Sequence, residues 1–241
     1  MAMWNPWRGC KKCSDGCLHC YIHKGDFKRN VNTNEIVKTK DFEKPIEKLK
    51  NGNYKMKSGI VYTCFSTDFL IEEADAWRKE CWNMIKERQD CTFLFLTKRI
   101  DRFMKCIPYD WKDGYDNVVV CCTIENQKNA DYKLSIFNKL PIKHKCITAQ
   151  PLLEEIVIEK YLDDIELVVV GGESDFNART FNYDWALSTT LSKFKINIFS
   201  NTLFSDTQCP IIIKWSSVNV RLSTYYNKFY IIKIFFNINF F

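Results

Sequence analysis

The middle of the chain alternates short apolar runs with polar segments of helical period. Ile60–Phe65, Thr92–Leu96, Asn117–Cys122, Cys146–Ala149 and Leu167–Val170 are apolar almost throughout, which is the pattern of strands buried on both faces of a parallel sheet. Between them, Glu72–Gln89 places Trp77, Cys81 and Ile85 at i, i+4 and i+8. Ile100–Cys106 puts Ile100, Phe103 and Met104 on one face ahead of Pro108, and a third helical segment carries Ala130, Leu134 and Phe137 before Pro141. Pro151–Leu162 predicts a shorter helical turn. The runs recur about every 20 to 30 residues, close to the length of βαβ units, and no two-residue hairpin signal separates any neighbouring pair. The expected fold is therefore α/β, a parallel sheet covered on both faces, either open or curled into a (β/α) partial barrel that is TIM-barrel-like. Residues 24–57 are polar and broken by Asn and Gly, and read as a long excursion with one helix from Lys44.

Every predicted strand runs into polar or charged residues: Ser66-Thr67-Asp68, Thr97-Lys98-Arg99, Thr123-Ile124-Glu125-Asn126-Gln127, Gln150-Pro151 and Gly171-Gly172-Glu173-Ser174. The carboxyl ends of parallel strands form the site in barrels and open α/β sheets. Asp68, Lys98, Arg99, Glu125 and Asn126 are thus candidate catalytic residues. Gly171, Gly172, Glu173 and Ser174 are candidates for ligand binding, since paired glycines let backbone approach a ligand closely. A plainer role is open for some of these groups: Ser66, Asp68 and Thr97 fit equally well as helix caps.

The most specific chemistry lies near the start, where Cys10, Cys13, Cys17 and Cys20 fall within eleven residues. Thiols this close cannot all pair with one another, but their thiolates can converge on one metal centre. Spacing leaves three arrangements open: Cys13, Cys17 and Cys20; Cys10, Cys17 and Cys20; or all four. Three ligands leave one iron of a cubane cluster open to a further ligand, whereas four close the site, as in structural zinc. The linker between the two C-x2-C pairs is shorter than zinc ribbons use, which favours iron and sulfur. The chain contains 12 Cys among 241 residues, too few for a disulfide scaffold of this length, and no apolar signal-peptide core precedes Cys10. A reducing, cytoplasmic location is expected, with Cys64, Cys81, Cys91, Cys106, Cys121, Cys122 and Cys146 acting as small buried hydrophobes. The net charge of +6 is concentrated in the first sixty residues, around the cysteines. That basicity, with Tyr and Trp nearby, is compatible with nucleic acid as a partner or with an ordinary lysine-rich surface.

Trp4-Asn5-Pro6, Gly9-Cys10, Ser14, Gly16-Cys17, Cys20-Tyr21, Asp68, Leu96-Thr97-Lys98-Arg99, Glu125-Asn126-Gln127, Pro151-Leu152-Leu153, Gly171-Gly172-Glu173-Ser174 and Ala178-Arg179 occur in this order. The set, over about residues 3–187, resembles an uncharacterised three-Cys-motif family of phages and bacteria regarded as radical-SAM-like. The resemblance implies Cys10, Cys17 and Cys20 as ligands of a [4Fe-4S] cluster, with Cys13 at a variable place, and Tyr21 beside the cofactor. It further implies S-adenosylmethionine on the open iron, an external electron donor, and hydrogen abstraction from an unknown substrate by a 5′-deoxyadenosyl radical. Glu173 or Glu125 would then meet the methionine amino group, and Lys98 or Arg99 an anionic substrate group. Gln150 departs from the family pattern, which carries Glu before Pro-Leu-Leu. The contrasting readings are a nucleic-acid-associated module with a structural zinc or closed iron-sulfur site, and an inactive phage-derived homologue.

Residues 1–187 are expected to form the α/β domain and 188–241 an atypical tail. From Cys209 onward there is no Asp or Glu, and Ile, Phe, Asn, Lys and Tyr dominate, as in an out-of-frame or degenerate extension. Lysines and asparagines interrupt its apolar run before the roughly 18 residues a membrane span needs, so no membrane association is expected.

Overall fold

The computed structural model describes residues 2–173 and 178–191, and the backbone of three further strands at 212–215, 218–225 and 229–236. The chain opens with β1 (Ala2–Trp4) and β2 (Trp7–Arg8), passes through the cysteine loop into α1 (Tyr21–Lys28), and returns as β3 (Val37–Lys38), which pairs antiparallel with β2. Then come β4 (Gly59–Thr63), α2 (Asp75–Glu87), β5 (Cys91–Thr97), α3 (Phe103–Cys106), β6 (Val118–Ile124), α4 (Gln127–Phe137), β7 (His144–Ala149), β8 (Ile165–Gly171) and α5 (Tyr183–Leu191). Strands β1, β4, β5, β6, β7 and β8 lie side by side in that order, and each neighbouring pair is parallel. The fold is α/β, with a mostly parallel sheet and no closed barrel among the described residues. Beyond β8 the sheet continues antiparallel through β11 (Phe229–Phe236), β10 (Val218–Tyr225) and β9 (Ile212–Trp215). Much of the expected atypical tail, including 192–211, lies outside the described residues.

The five predicted strands are all present, and β6 is buried at every position, as its unbroken apolar run requires. The two faces of the sheet are nevertheless unequal. Phe93, Phe95, Val120, Cys122, Ile147 and Val168 join the main core with residues from α2, α3, α4 and α5, such as Trp82, Phe103, Leu134 and Ala186. The opposite face carries a small cluster of strand residues only, Val119, Cys121 and Cys146, flanked by the half-buried Leu94, Leu96 and Leu167. Among the described residues the helices cluster on the first of these faces, and the second is covered as well, since Val119, Cys121 and Cys146 are buried. The seven scattered cysteines are all buried, unpaired thiols, as expected of small hydrophobes.

Other differences have local causes. The helix expected from Lys44 is a series of turns over 41–46, because the chain reverses at Asn51-Gly52, closed by the Leu49–Asn53 backbone bond, and leaves too little length for one. The helical turn expected over Pro151–Leu162 shrinks to Glu159–Tyr161. Leu152 and Leu153 instead donate their backbone N–H groups to the Gly171 and Glu125 carbonyls, stitching this segment across two strand ends. Strand β1 and helix α1 were not expected. β1 is only three residues long, and α1 buries a single residue, Asp26, so neither leaves an apolar period to read. Among the described residues no helix is long and apolar enough to cross a membrane.

The 41–57 excursion is fastened to the body of the molecule by Arg88, which follows α2 and is wholly buried. Its guanidinium donates to the Pro45 and Met56 carbonyls and to both oxygens of Asp90, and lies 4.1 Å from the Tyr54 ring centroid. Removing it orphans buried carbonyls, so Arg88→Ala should lower the unfolding free energy by about 3 kcal/mol. Chemical denaturation read by tryptophan fluorescence checks this; a loss within error of zero would mean that the excursion does not depend on the anchor.

Candidate functional site

The cysteine loop, residues 10–20, lies across the carboxyl ends of the strands. Charged residues that follow β4, β5 and β6 hold it there through two clusters. The first is built on Asp68, which is buried. Its Oδ1 accepts from Thr97 Oγ1 at 2.8 Å and from the Leu70 amide at 2.9 Å, and its Oδ2 accepts from the Lys98 amide and Arg99 Nη1, both at 3.0 Å. Arg99 then reaches into the loop, donating from Nη2 to the Lys11 carbonyl at 2.6 Å. Burial works against the Arg99 charge, but Asp68 and the neighbouring thiols outweigh it and raise its pKa. None of Ser66, Asp68 and Thr97 is the helix cap that the plainer sequence reading allows, since Ile71 and Arg99 cap the short helices that follow; Asp68 and Thr97 close local turns instead, with Thr97 Oγ1 accepting from the Arg99 amide.

The second cluster surrounds Glu125, which has no exposed surface. Its Oε1 accepts from Lys98 Nζ at 2.7 Å and from Ser14 Oγ in the loop, and its Oε2 accepts from Asn129 Nδ2 and Lys133 Nζ, each at 3.0 Å. Burial alone would raise the Glu125 pKa, but the two ammonium groups reverse the sign and hold it below the usual carboxylate value. Lys133 also donates to the Thr123 carbonyl at 2.9 Å. Gly16 sits directly over this carboxylate: a Cβ there would lie 2.6 Å from Glu125 Cγ and 3.0 Å from Pro151 Cδ. Only glycine lets the loop descend this far.

Asn126 accepts from the Asn129 amide as the cap of α4 and is 3.4 Å from Asp15 Oδ2 through Nδ2. Glu173 is engaged by Arg179, whose backbone N–H, Nε and Nη2 all donate to its carboxylate. Burial raises the Glu173 pKa, and Arg179 overrides it to give a net lowering. Gly171 packs against the Gln150 carboxamide and Gly172 against the Phe181 ring, so neighbouring side chains fill the space that the glycines leave. Ser174 lies outside the described residues. The Tyr21 hydroxyl donates to the Phe65 carbonyl at 2.6 Å, directly after Cys20.

The four thiols differ in environment. Cys17 is buried, Cys10 and Cys20 are partly covered, and Cys13 is exposed. Hydrogen bonding from the Cys13 thiol pulls the Cys17 pKa down to about 4 against the effect of burial, helped by Ser14, 3.6 Å away, and by Lys98. Burial pushes Cys10 up to about 12, with Asp68 adding to it and Arg99 opposing. The donor set is all sulfur, which suits iron-sulfur or zinc rather than magnesium or calcium. Among the described residues no three Cys, His, Asp or Glu side chains already converge as a metal-binding group; the fit lies in donor chemistry and in their shared loop. Beside the loop is a cavity of about 430 Å³ whose walls include Lys12, Asp15, Leu18, Asn126, Glu154 and Arg179.

Residues 1–197 match the family described as Protein of unknown function (DUF5131). The chain belongs to that family. Neither a curated protein nor a solved structure matches it. The DUF5131 match takes in β1 through α5 and the whole cysteine loop, and stops short of the antiparallel strands β9–β11.

Several partners at this DUF5131 site went unread in the sequence. The sequence marks Ser14, Gly16 and Arg179 only as motif positions and gives no sign of Asn129. Lys133 had a signal: it occupies the apolar face defined by Ala130, Leu134 and Phe137, where a lysine needs a buried counter-charge.

Two outcomes test the clamp. Gly16→Ala should destabilise the protein by about 1–3 kcal/mol and expose the Cys17 thiol to faster alkylation; unchanged stability and reactivity would mean that the loop does not rest on Glu125. For Glu125 the folded pKa lies below the unfolded one, so its ionised form stabilises the protein at neutral pH. That contribution is lost as pH falls below about 4. The stability gap between wild type and Glu125→Gln should therefore narrow on acidification, measured by urea denaturation at a series of pH values; a constant gap would rule out the ion cluster as its source.

Proposed function

We propose that this protein is a radical-SAM-like iron-sulfur enzyme on a partial (β/α) barrel. The observation that carries the reading is the seating of an all-thiol loop across the carboxyl ends of parallel strands, where Ser14 links Cys17 to the Glu125 cluster. Six strands in sequential order with helices on one side support the partial barrel, the arrangement of a sheet wound in one direction. Cys10, Cys17 and Cys20 would hold a [4Fe-4S] cluster, and the exposure of Cys13 supports its place as the spare thiol. When bound, such a cluster with an open iron supplies one electron to S-adenosylmethionine.

The chain's own residues have distinct tasks in this reading. Asp68 and Arg99 hold the first half of the loop through the Lys11 carbonyl, and Glu125 and Ser14 hold the second. Lys98 brings positive potential to the thiolate end and offsets anionic charge there. The cavity beside the loop offers a cation, Lys12, and carboxylates, Asp15 and Glu154, while Arg179 on its wall is already paired with Glu173. That pairing suits the zwitterionic amino-acid end of S-adenosylmethionine better than Glu125 or Glu173, both of which are already neutralised within the fold.

Anaerobic reconstitution with iron and sulfide should give brown protein with about four irons per chain, and 5′-deoxyadenosine on reduction with S-adenosylmethionine. Cys17→Ala should lose most of the iron, whereas Cys13→Ala should keep it. Colourless protein carrying zinc, or normal iron content in Cys17→Ala, would overturn the assignment.

A further inference from the structure

Helix α1 leaves the cysteine loop directly from Cys20 and exposes far more than it buries. At 3.6 residues per turn, Phe27, Lys24, Lys28 and Tyr21 fall in that order around an arc of about 120°. Phe27 is 82% exposed and Tyr21 50%, while Leu18, just before the helix, is 60% exposed. Lys12, Lys28 and Arg29 are exposed around them. The arc thus places aromatic rings at its edges and ammonium groups between them, and Lys12 and Leu18 carry it to the rim of the 430 Å³ cavity.

We propose that this face binds single-stranded nucleic acid. A strand of nucleic acid presents flat, stackable bases and regularly spaced anions, and the face presents rings and cations at interleaved positions. Charge favours the same occupant, because the excess positive charge of the chain is concentrated in its first sixty residues. A lipid surface is a poorer match: an interfacial helix segregates its apolar side from its lysines, whereas here the lysines lie between the rings. Duplex DNA keeps its bases stacked and offers nothing for Phe27 and Tyr21 to hold. In terms of the preceding function, on which this point alone rests, the bound strand is the substrate, delivered beside the thiol loop.

The test is fluorescence anisotropy with labelled single-stranded DNA and RNA oligonucleotides of mixed sequence and the matching DNA duplex. It uses the full chain, as isolated and after anaerobic reconstitution. Single strands should bind more tightly than duplex. Phe27→Ala should weaken binding about tenfold, and Lys28→Gln with Arg29→Gln should reduce the dependence of log K on log salt by about 1.4. Lys139→Gln, an exposed change after the end of α4 and so at the other end of the sheet, should leave affinity unchanged. Absence of binding at low salt, equal affinity for duplex, or indifference to Phe27→Ala would overturn the proposal. So would Phe27-dependent capture by anionic phospholipid vesicles without oligonucleotide binding. The two readings fail separately: oligonucleotide binding by a zinc protein would refute the cluster and keep this face, and an iron-sulfur protein that ignores oligonucleotides would do the reverse.

Discussion

The arrangement depends on one buried carboxylate. Glu125 ends the most deeply buried strand, and an isolated charge there would cost several kcal/mol. Lys98 from the neighbouring strand, Lys133 from the following helix and Ser14 from the cysteine loop remove that cost together. Each partner comes from a different element, so the carboxylate fixes strand, helix and loop relative to one another. One of the two ammonium groups, that of Lys98, also acts on Cys17, adding to the larger effect of the Cys13 hydrogen bond. Two members of the cluster that locks the loop mechanically, Ser14 and Lys98, thus also favour the anionic form of its thiol.

Asp68 repeats the device on the neighbouring strands at a smaller scale, with its four acceptor positions filled and Arg99 extended as the arm. The two clusters grip the loop on either side of Cys13, near Lys11 and at Ser14. This explains why the strand ends, so rich in charge, offer few free groups. Their first task is to neutralise one another and to seat the loop, and ligand contacts fall to the cavity wall beside it.

The strands were legible because burial on both faces writes an unbroken apolar run, and α2 and α4 because their buried sides recur at helical spacing. The strand-end residues were legible as a set, but their roles were not. A sequence shows that Asp68, Arg99, Glu125 and Lys98 are charged without showing which neutralises which, and Ser14 and Glu125 are 111 residues apart. Helix α1 was invisible for the opposite reason. A helix that buries only Asp26 has no apolar stripe, and the residues that mark its surface, Phe27 among them, look like loop composition. The unequal faces of the sheet also left no trace, because Leu94 and Leu96 are as apolar as the core positions Phe93 and Phe95.

The separation of Ser14 from Glu125 has a consequence for the order of assembly. The cysteine loop precedes its side-chain moorings in the chain: Asp68, Arg99 and Glu125 all follow it, and Lys133 completes the Glu125 cluster. Closing a connection of this length is slow and entropically costly until the intervening strands have paired. The four thiols therefore gain a fixed geometry only once the chain through Lys133 has folded. Whatever they hold is received by a loop already seated on paired strands and not by a free one.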